Sequence, residues 1–455
     1  MNSTNVFDTD KIGSLLLKLT APAFMGMAVT TLYNVVDTIF IGHYVGQLAI
    51  AGLSIVFPIQ MFSMGVGQMM GMGGASLISR LLGGGKVQEA EKVLGNAITA
   101  TIVFSAIIMI VGLSNIDYFL TLIGASPDVL PYARDYLQII LIGMFFQTFA
   151  MTMNFLIRSE GNSRVPMKGM MIGAVVNIAL DAVFIIPLDM GVQGAALATI
   201  IAQFISVLYF GYYYLSGASY FKILVKNLKI KWGVLWSIIT IGFASLARTT
   251  ANSFTVILIN IALGTYGGDL AISAYGIINR ISMFALMPGI VIGQGMQPIL
   301  GYNYGAGRYD RALKVIKLSI ISATIFGITS FMLFYFLPDL LIRIFTSDAS
   351  VIDLGIHAAK KVFFVIYIVG FIMVGSTSFQ ALGKVWQSIV SSMARSVLFL
   401  IPAILLLPRL WQLDGIWLAF PITDVLTFVL TMAMFIPQVI NLVKARKLEV
   451  TANVQ

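Results

Sequence analysis

Two carboxylates stand where an apolar chain tolerates them least. Residues 170–199 read MMIGAVVNIALDAVFIIPLDMGVQGAALAT, and the run around Asp181 is apolar apart from Asn177, four residues earlier. At 3.6 residues per helical turn, Asn177 and Asp181 share a face. A second acid, Asp37, interrupts FMGMAVTTLYNVVDTIFIG. An ionised Asp near the middle of a membrane helix costs about 2.5–3.5 kcal/mol, so such residues normally face a polar cavity. Two chemistries fit these residue types. The acids can act together as a proton carrier that titrates as a coupled pair. Alternatively, their oxygens, the Asn177 amide oxygen and a hydroxyl such as Thr199 form a hard oxygen set suited to Na+. The blander alternatives are a helix-to-helix polar pair, about 0.6 kcal/mol on average in membranes, and, for Asp37, an interfacial acid five residues before Gly42, the expected end of the first span.

The elements that must position these residues are membrane helices. The chain has 455 residues, 58% hydrophobic and 10% charged, with a mean hydropathy of +0.93, against about 25% charged in soluble domains. A spanning helix needs about 20 mostly apolar residues. The pattern predicts twelve, near 14–40, 51–80, 93–114, 136–157, 167–187, 192–215, 234–263, 270–300, 315–337, 359–382, 386–407 and 415–440. The first apolar run is too long for a signal-peptide core and reads as a retained span.

Charge placement gives an expected orientation. With the N-terminus taken as cytoplasmic, 20 of the 28 Lys and Arg fall on the side of both tails, and five (Arg134, Arg343, Lys360, Lys361 and Arg409) on the other. The positive-inside rule then puts both termini in the cytoplasm, and the net charge of +9 needs no nucleic-acid partner. The remaining three, Arg248, Arg280 and Arg395, lie within spans that offer no acid of their own, so snorkelling or pairing with carbonyls is expected. There is no Cys, and the two His, His43 and His357, fall at expected helix ends. No GxxxxGK[ST] loop is present, so ATP-driven transport is unsupported.

The chain repeats itself. Residues 42–93 and 264–315 align without a gap at an offset of 222, matching Gly42, Tyr44, Gly46, Leu48, Ala49, Ile50 and further positions through Gly83, Gly85 and Val93; Gly161 pairs with Gly383 at the same offset. A six-helix unit repeated in one chain gives two parallel copies. The expected organisation is an N-lobe over 1–220 with spans one to six, a cytoplasmic lysine-rich linker over 221–232 read as a solvated loop, and a C-lobe over 233–455 with spans seven to twelve. Both copies keep a GxxxG, Gly67–Gly71 and Gly289–Gly293, read as close helix packing. At the same offset Asp37 falls on Ile259 and Asp181 near Ala403, so the fold tolerates an apolar residue at either place and only the N-terminal half carries these two acids. Pro22 permits a bend early in span one. Methionines such as Met61, Met64, Met69, Met70 and Met72 suit either an adaptable pocket or simple core filling.

With this two-lobe pattern in view, the motifs LYNVVDTIFIG (32–42), NIALD (177–181), GAALAT (194–199) and QPILGYNYGAG (297–307) resemble the multidrug and toxic compound extrusion (MATE) family over nearly the whole chain. The resemblance implies an all-α polytopic protein whose two lobes form a V-shaped cavity and alternate in access. It implies a cation site at Asp37, Asn177, Asp181 and Thr199, with Na+ or H+ as coupling ion and no other cofactor. It further places Tyr136, Asn154 and Met170 near the substrate cavity and makes Pro22 the bend in span one. One branch of the family carries acidic ligands on spans seven and ten; neither span holds an acid here, which points to the N-lobe branch. The expected function is cation-coupled efflux of lipophilic, often cationic drugs from the plasma membrane of a prokaryote, by a monomer within the lipid bilayer. The alternatives are a flippase for lipid-linked saccharides or other amphiphiles, which would want Arg248, Arg280 and Arg395 as a basic lining, and an intramembrane aspartyl enzyme.

Overall fold

A computed structural model describes residues 6–9, 11–45 and 47–452. Gly46 and the side chain of His43 lie outside the described residues. Regular structure among the described residues is entirely helical. Among the described residues, ten helices are long and apolar enough to cross a membrane. One of them, Trp232–Gly305, has 74 residues and departs from helical geometry at Gly268 (φ 64°, ψ −162°), a conformation open only to glycine, so it supplies spans seven and eight. Ala349–Val362 and Ile366–Ala381 meet at 53° and form one bent span, the tenth, which starts ten residues before the expected 359 and so takes in the exposed Asp353 near its start. Ten helices, one divided and one bent pair added, make twelve.

The remaining spans are Ile12–Tyr44, Gln47–Gly83, Val87–Ser114, Leu130–Ser159, Arg164–Ile185 and Gly191–Leu215 for one to six. Span nine is Tyr309–Phe336 and span twelve lies in Pro408–Ala452. Span eleven is compound: an α-helix, Val385–Met393, passes into a π-helix, Ala394–Leu400, and returns to α over Ile401–Leu406.

The repeat is written in the backbone. Gly85 (φ 74°) and Gly307 (φ 72°) end spans two and eight in the left-handed region, and Gly161 (φ 86°) and Gly383 (φ 71°) do the same for spans four and ten. Each is a turn position that a Cβ would strain. The amides that close the turns correspond too: Lys86 N–H donates to Leu81 O, and Arg308 N–H to Asn303 O. Both GxxxG pairs serve packing. A Cβ on Gly67 would lie 2.9 Å from Thr148 O and one on Gly71 2.8 Å from Phe155. In the second copy the obstacles are Met373 and Thr377, each at 2.9 Å from Gly289 and Gly293 respectively.

By packing, the chain forms two compact units, Ala21–Thr250 and Met1–Thr20 with Ala251–Gln455. Their boundaries fall inside spans one and seven rather than in a loop. In the first unit, Gly73 and Gly242 admit close backbone approach between span two and the start of span seven: a Cβ on Gly242 would lie 1.9 Å from Met69 O. The linker also belongs to this unit. Asn96 of span three donates to the carbonyls of Asn227 and Lys229 (both 3.3 Å) and accepts from Lys231 N–H (2.6 Å). Lys222, Lys226, Lys229 and Lys231 remain exposed, so the side chains are solvated while the backbone is strapped down.

In the second unit the chain's beginning is held by residues of the QPILGYNYGAG motif and the turn after it. Phe7 is fully buried and stacks on Tyr302 at 4.9 Å. Asp8 pairs with Arg308 and accepts from Tyr302 Oη (2.9 Å), while Arg311 Nη2 donates to Phe7 O (2.8 Å). Arg311 Nε also donates to Asn303 Oδ1 at 3.0 Å.

Candidate functional site

Within the Ala21–Thr250 unit, span five presents Asn177 (2% exposed) and Asp181 (0%) from one helix face, as the four-residue spacing dictates. Asn177 Nδ2 donates to Thr199 Oγ1 of span six at 3.4 Å. Asp37 of span one lies within electrostatic range of Asp181, and both act on Tyr33 and Tyr136. The two acids, the amide and the hydroxyl therefore gather in one region, with Tyr136 (5% exposed) against it.

The decisive feature is what these groups lack. Among the described residues, Asp37 Oδ1, Asn177 Oδ1 and both Asp181 carboxylate oxygens are buried without a hydrogen-bond partner. Buried polar atoms are nearly always satisfied, and a buried carboxylate with neither donor nor counter-charge is costly. Orphaned oxygens of this kind are what a desolvated small cation or a proton needs. They also weigh against the self-satisfied polar pair, because the one bond formed uses the amide N–H and leaves every carboxylate oxygen of Asp181 unused.

Other expected residues fall at varied places. Asn154 is buried (4% exposed) on span four. Met170 packs against span one: a Cβ on Gly26 would lie 2.7 Å from its Sδ, one turn beyond Pro22. Pro22 is inside the continuous helix Ile12–Tyr44, next to the boundary between the two units. Sequence reasoning passes over two members of the site. Tyr33, one turn before Asp37, shares its face, and Gln60 of span two hydrogen-bonds Tyr136.

The C-terminal half has no counterpart of Asp37 or Asp181 but carries a buried in-span acid of its own. Asp424, on span twelve, is 2% exposed. Arg395 of span eleven donates to it from Nε (2.6 Å to Oδ1) and Nη2 (3.3 Å to Oδ2), so Arg395 neither snorkels nor rests on carbonyls. The two residues stand 29 positions apart on different spans, a spacing that leaves no local signal.

A third buried acid, Glu160, ends span four. Its carboxylate accepts from Tyr213 Oη (3.1 Å), Tyr214 Oη (2.8 Å), Ser219 Oγ (2.8 Å) and Tyr220 N–H (3.0 Å). Burial pushes its carboxyl above the ordinary glutamate value, against the pull of these four donors.

Comparison with known proteins agrees with this architecture. The MatE family profile matches twice, over residues 22–183 and 244–405; the two matches begin and end 222 residues apart, the offset of the internal repeat. Multidrug export protein MepA of Staphylococcus aureus (strain MRSA252) is 24% identical over 412 residues, covering 90% of both chains. The solved structure of the MATE multidrug transporter DinF-BH in complex with rhodamine 6G is 40% identical, covers 95% of this chain and 96% of its own, and superposes with a TM-score of 0.88. An outward-facing MATE family transporter of the MOP superfamily shares the fold at 22% identity, with a TM-score of 0.90 over 95% of this chain and 97% of that one. Twelve membrane helices, a six-helix repeat and two family matches in register with it place this chain in the MatE family, a family of membrane transporters and not of enzymes.

Proposed function

We propose that this protein is a cation-coupled multidrug antiporter, exporting lipophilic and often cationic compounds by alternating access in exchange for inward Na+ or H+. One observation carries the coupling: four buried oxygens on Asp37, Asn177 and Asp181 have no partner among the described residues. A group that is costly to keep and satisfies nothing in the fold is there for an ion that comes and goes. Thr199 completes the set through its bond to Asn177. The export half of the reading draws on relatives that are multidrug export proteins and multidrug transporters. The flippase alternative loses part of its basis, because Arg395 is neutralised by Asp424 and a basic lining is left with Arg248 and Arg280.

The energetics suffice for modest concentration work. A tenfold ion gradient supplies about 1.4 kcal/mol. Each net charge entering adds about 2.3 kcal/mol per 100 mV of interior-negative potential. The reading places both termini in the cytoplasm of a prokaryotic cell and needs only one chain.

The test is ethidium efflux from proteoliposomes of wild type, Asp37→Asn and Asp181→Asn, with a sodium or a pH gradient imposed separately. Export by wild type under one gradient, lost in both variants, establishes the site and names the ion. Wild-type rates in Asp181→Asn would remove the coupling role. If neither gradient moves the dye, the substrate class is wrong and lipid flipping becomes the next assay.

A further inference from the structure

The unit formed by Met1–Thr20 and Ala251–Gln455 carries its own polar patch, which the coupling site does not use. Span eleven changes from α to π geometry at Ala394–Leu400, a rare distortion found frequently at functional sites. Arg395 and Ser396 are consecutive within it. Arg395 grips Asp424 with two N–H groups, and Ser396 Oγ donates to Asn252 Oδ1 on span seven at 2.7 Å.

The pair is asymmetric. The Asp424 side chain is 3% exposed, whereas that of Arg395 is 31% exposed. The carboxylate is thus used up inside the protein, and the guanidinium shows an edge to the outside. Arg395 lies near the middle of the 22-residue span Val385–Leu406, and its neighbour Asn252 is exposed as well. Polar groups at mid-membrane depth face water-filled space and not lipid, because facing hydrocarbon costs about 2.5–3.5 kcal/mol for an Arg. By this cost the exposed edge of Arg395 faces water and not lipid.

A guanidinium has five N–H donors in a fixed plane and no acceptor. With two committed to Asp424, the others form a planar fork that matches a carboxylate or carbonyl. Pairing also decides which substrates tolerate it. A bare guanidinium would repel the cationic compounds the proposed transport requires; one neutralised by Asp424 does not, yet it keeps its donors. A purely structural pair has no need to expose one member and bury the other.

We propose that Arg395 is a substrate-contacting residue that hydrogen-bonds the acceptor end, a carboxylate or carbonyl, of amphoteric substrates, and that Asp424 is the positioning residue that aims the guanidinium and cancels its charge. The inference rests on the multidrug-transport reading above but not on the identity of the coupling ion.

Proteoliposomes carrying wild type, Arg395→Lys, Asp424→Asn or the neutral pair Arg395→Gln/Asp424→Asn are assayed with ethidium, a fixed cation without a carboxylate, and with a zwitterionic fluoroquinolone. Arg395→Lys keeps the charge and loses the fork, so the ratio of fluoroquinolone to ethidium transport falls about tenfold, the worth of one hydrogen bond to a charged group. Asp424→Asn unmasks the guanidinium: KM for ethidium rises with kcat held, and the neutral pair restores KM. A ratio that stays at the wild-type value in Arg395→Lys overturns the inference. So does a proportional fall for both compounds with a lowered melting temperature, which marks a structural pair. If wild type moves neither compound, the transport reading fails on its own. Equilibrium binding of the fluoroquinolone to wild type and Arg395→Lys in detergent then decides the inference separately: about tenfold weaker binding in the variant supports it, and equal affinity overturns it.

Discussion

The two halves of this chain follow one six-helix plan, yet they treat a buried acid in opposite ways. In the N-terminal half, Asp181 is fully buried with neither carboxylate oxygen partnered among the described residues. In the C-terminal half, Asp424 is equally buried and is met by Arg395 at 2.6 Å. At the repeat offset of 222, Asp37 and Asp181 correspond to Ile259 and Ala403, while Arg395 and Asp424 correspond to Gly173 and Ala202. Each half has placed its charges where the other keeps small or apolar residues, and Ile259 is part of the core of its unit. The shared six-helix plan does not itself require a charge at any of these positions. What separates them is the counter-charge: an acid with an internal partner is already satisfied, whereas an acid without one waits for something mobile.

The comparison breaks most readily at Asp181. We predict that Asp181→Asn drives gradient-coupled efflux to background while the purified protein melts at or above the wild-type temperature, because an unpartnered buried carboxylate stabilises nothing. A lowered melting temperature would mean that Asp181, like Asp424, has a partner that contributes to the stability of the fold. The reverse holds for Asp424→Ala, which leaves a guanidinium in the membrane without its counter-charge. Breaking a wholly buried pair costs about 3–5 kcal/mol. Because Arg395 is partly exposed, solvent screening reduces this to about 2–3 kcal/mol, with a clearly lower melting temperature; an unchanged one would show the pair to be dispensable to the fold.

A finer cut is Thr199→Ala. The Asn177–Thr199 bond is long at 3.4 Å, so losing the hydroxyl removes one weak ligand and leaves the carboxylates. Efflux persists, and the coupling-ion concentration for half-maximal rate rises about fivefold, near 1 kcal/mol. Loss as complete as that of Asp181→Asn would make the hydroxyl a full partner of the acids.

Much of this is legible in the sequence, for reasons that differ between levels. Span number follows from apolar run length, and the repeat from glycines such as Gly85 and Gly307, whose positive φ makes them hard to replace. Asn177 and Asp181 share a face by helical period alone. The same period offers Tyr33 beside Asp37, but a tyrosine in an apolar span reads as an anchor or filler. Asp424 stands in the sequence as an acid inside span twelve, yet its meaning depends on Arg395 across two helices, which no local pattern reveals. The bend in span ten has no compositional mark, whereas the π-turn in span eleven ends just before Pro402, which offers no N–H to the carbonyl of Leu398 four residues earlier.

Glu160 offers a third case, an acid whose donors among the described residues are all neutral, and with it the smallest predicted effect. Four donors from Tyr213, Tyr214, Ser219 and Tyr220 converge on it, and burial still holds its carboxyl above the ordinary value of 4.5. The folded state therefore keeps the proton more readily than the unfolded chain does. Stability is greatest below the unfolded value and falls as pH rises from there to the folded value. Wild type should accordingly show a melting temperature that declines as pH climbs from about 4.5, and Glu160→Gln, which cannot titrate, should show a flatter profile over the same range. Equal slopes would mean that the four neutral donors offset burial in full, so that a buried acid needs no counter-charge to be satisfied. The division between the two halves would then turn on the number of hydrogen bonds an acid receives and not on its counter-charge.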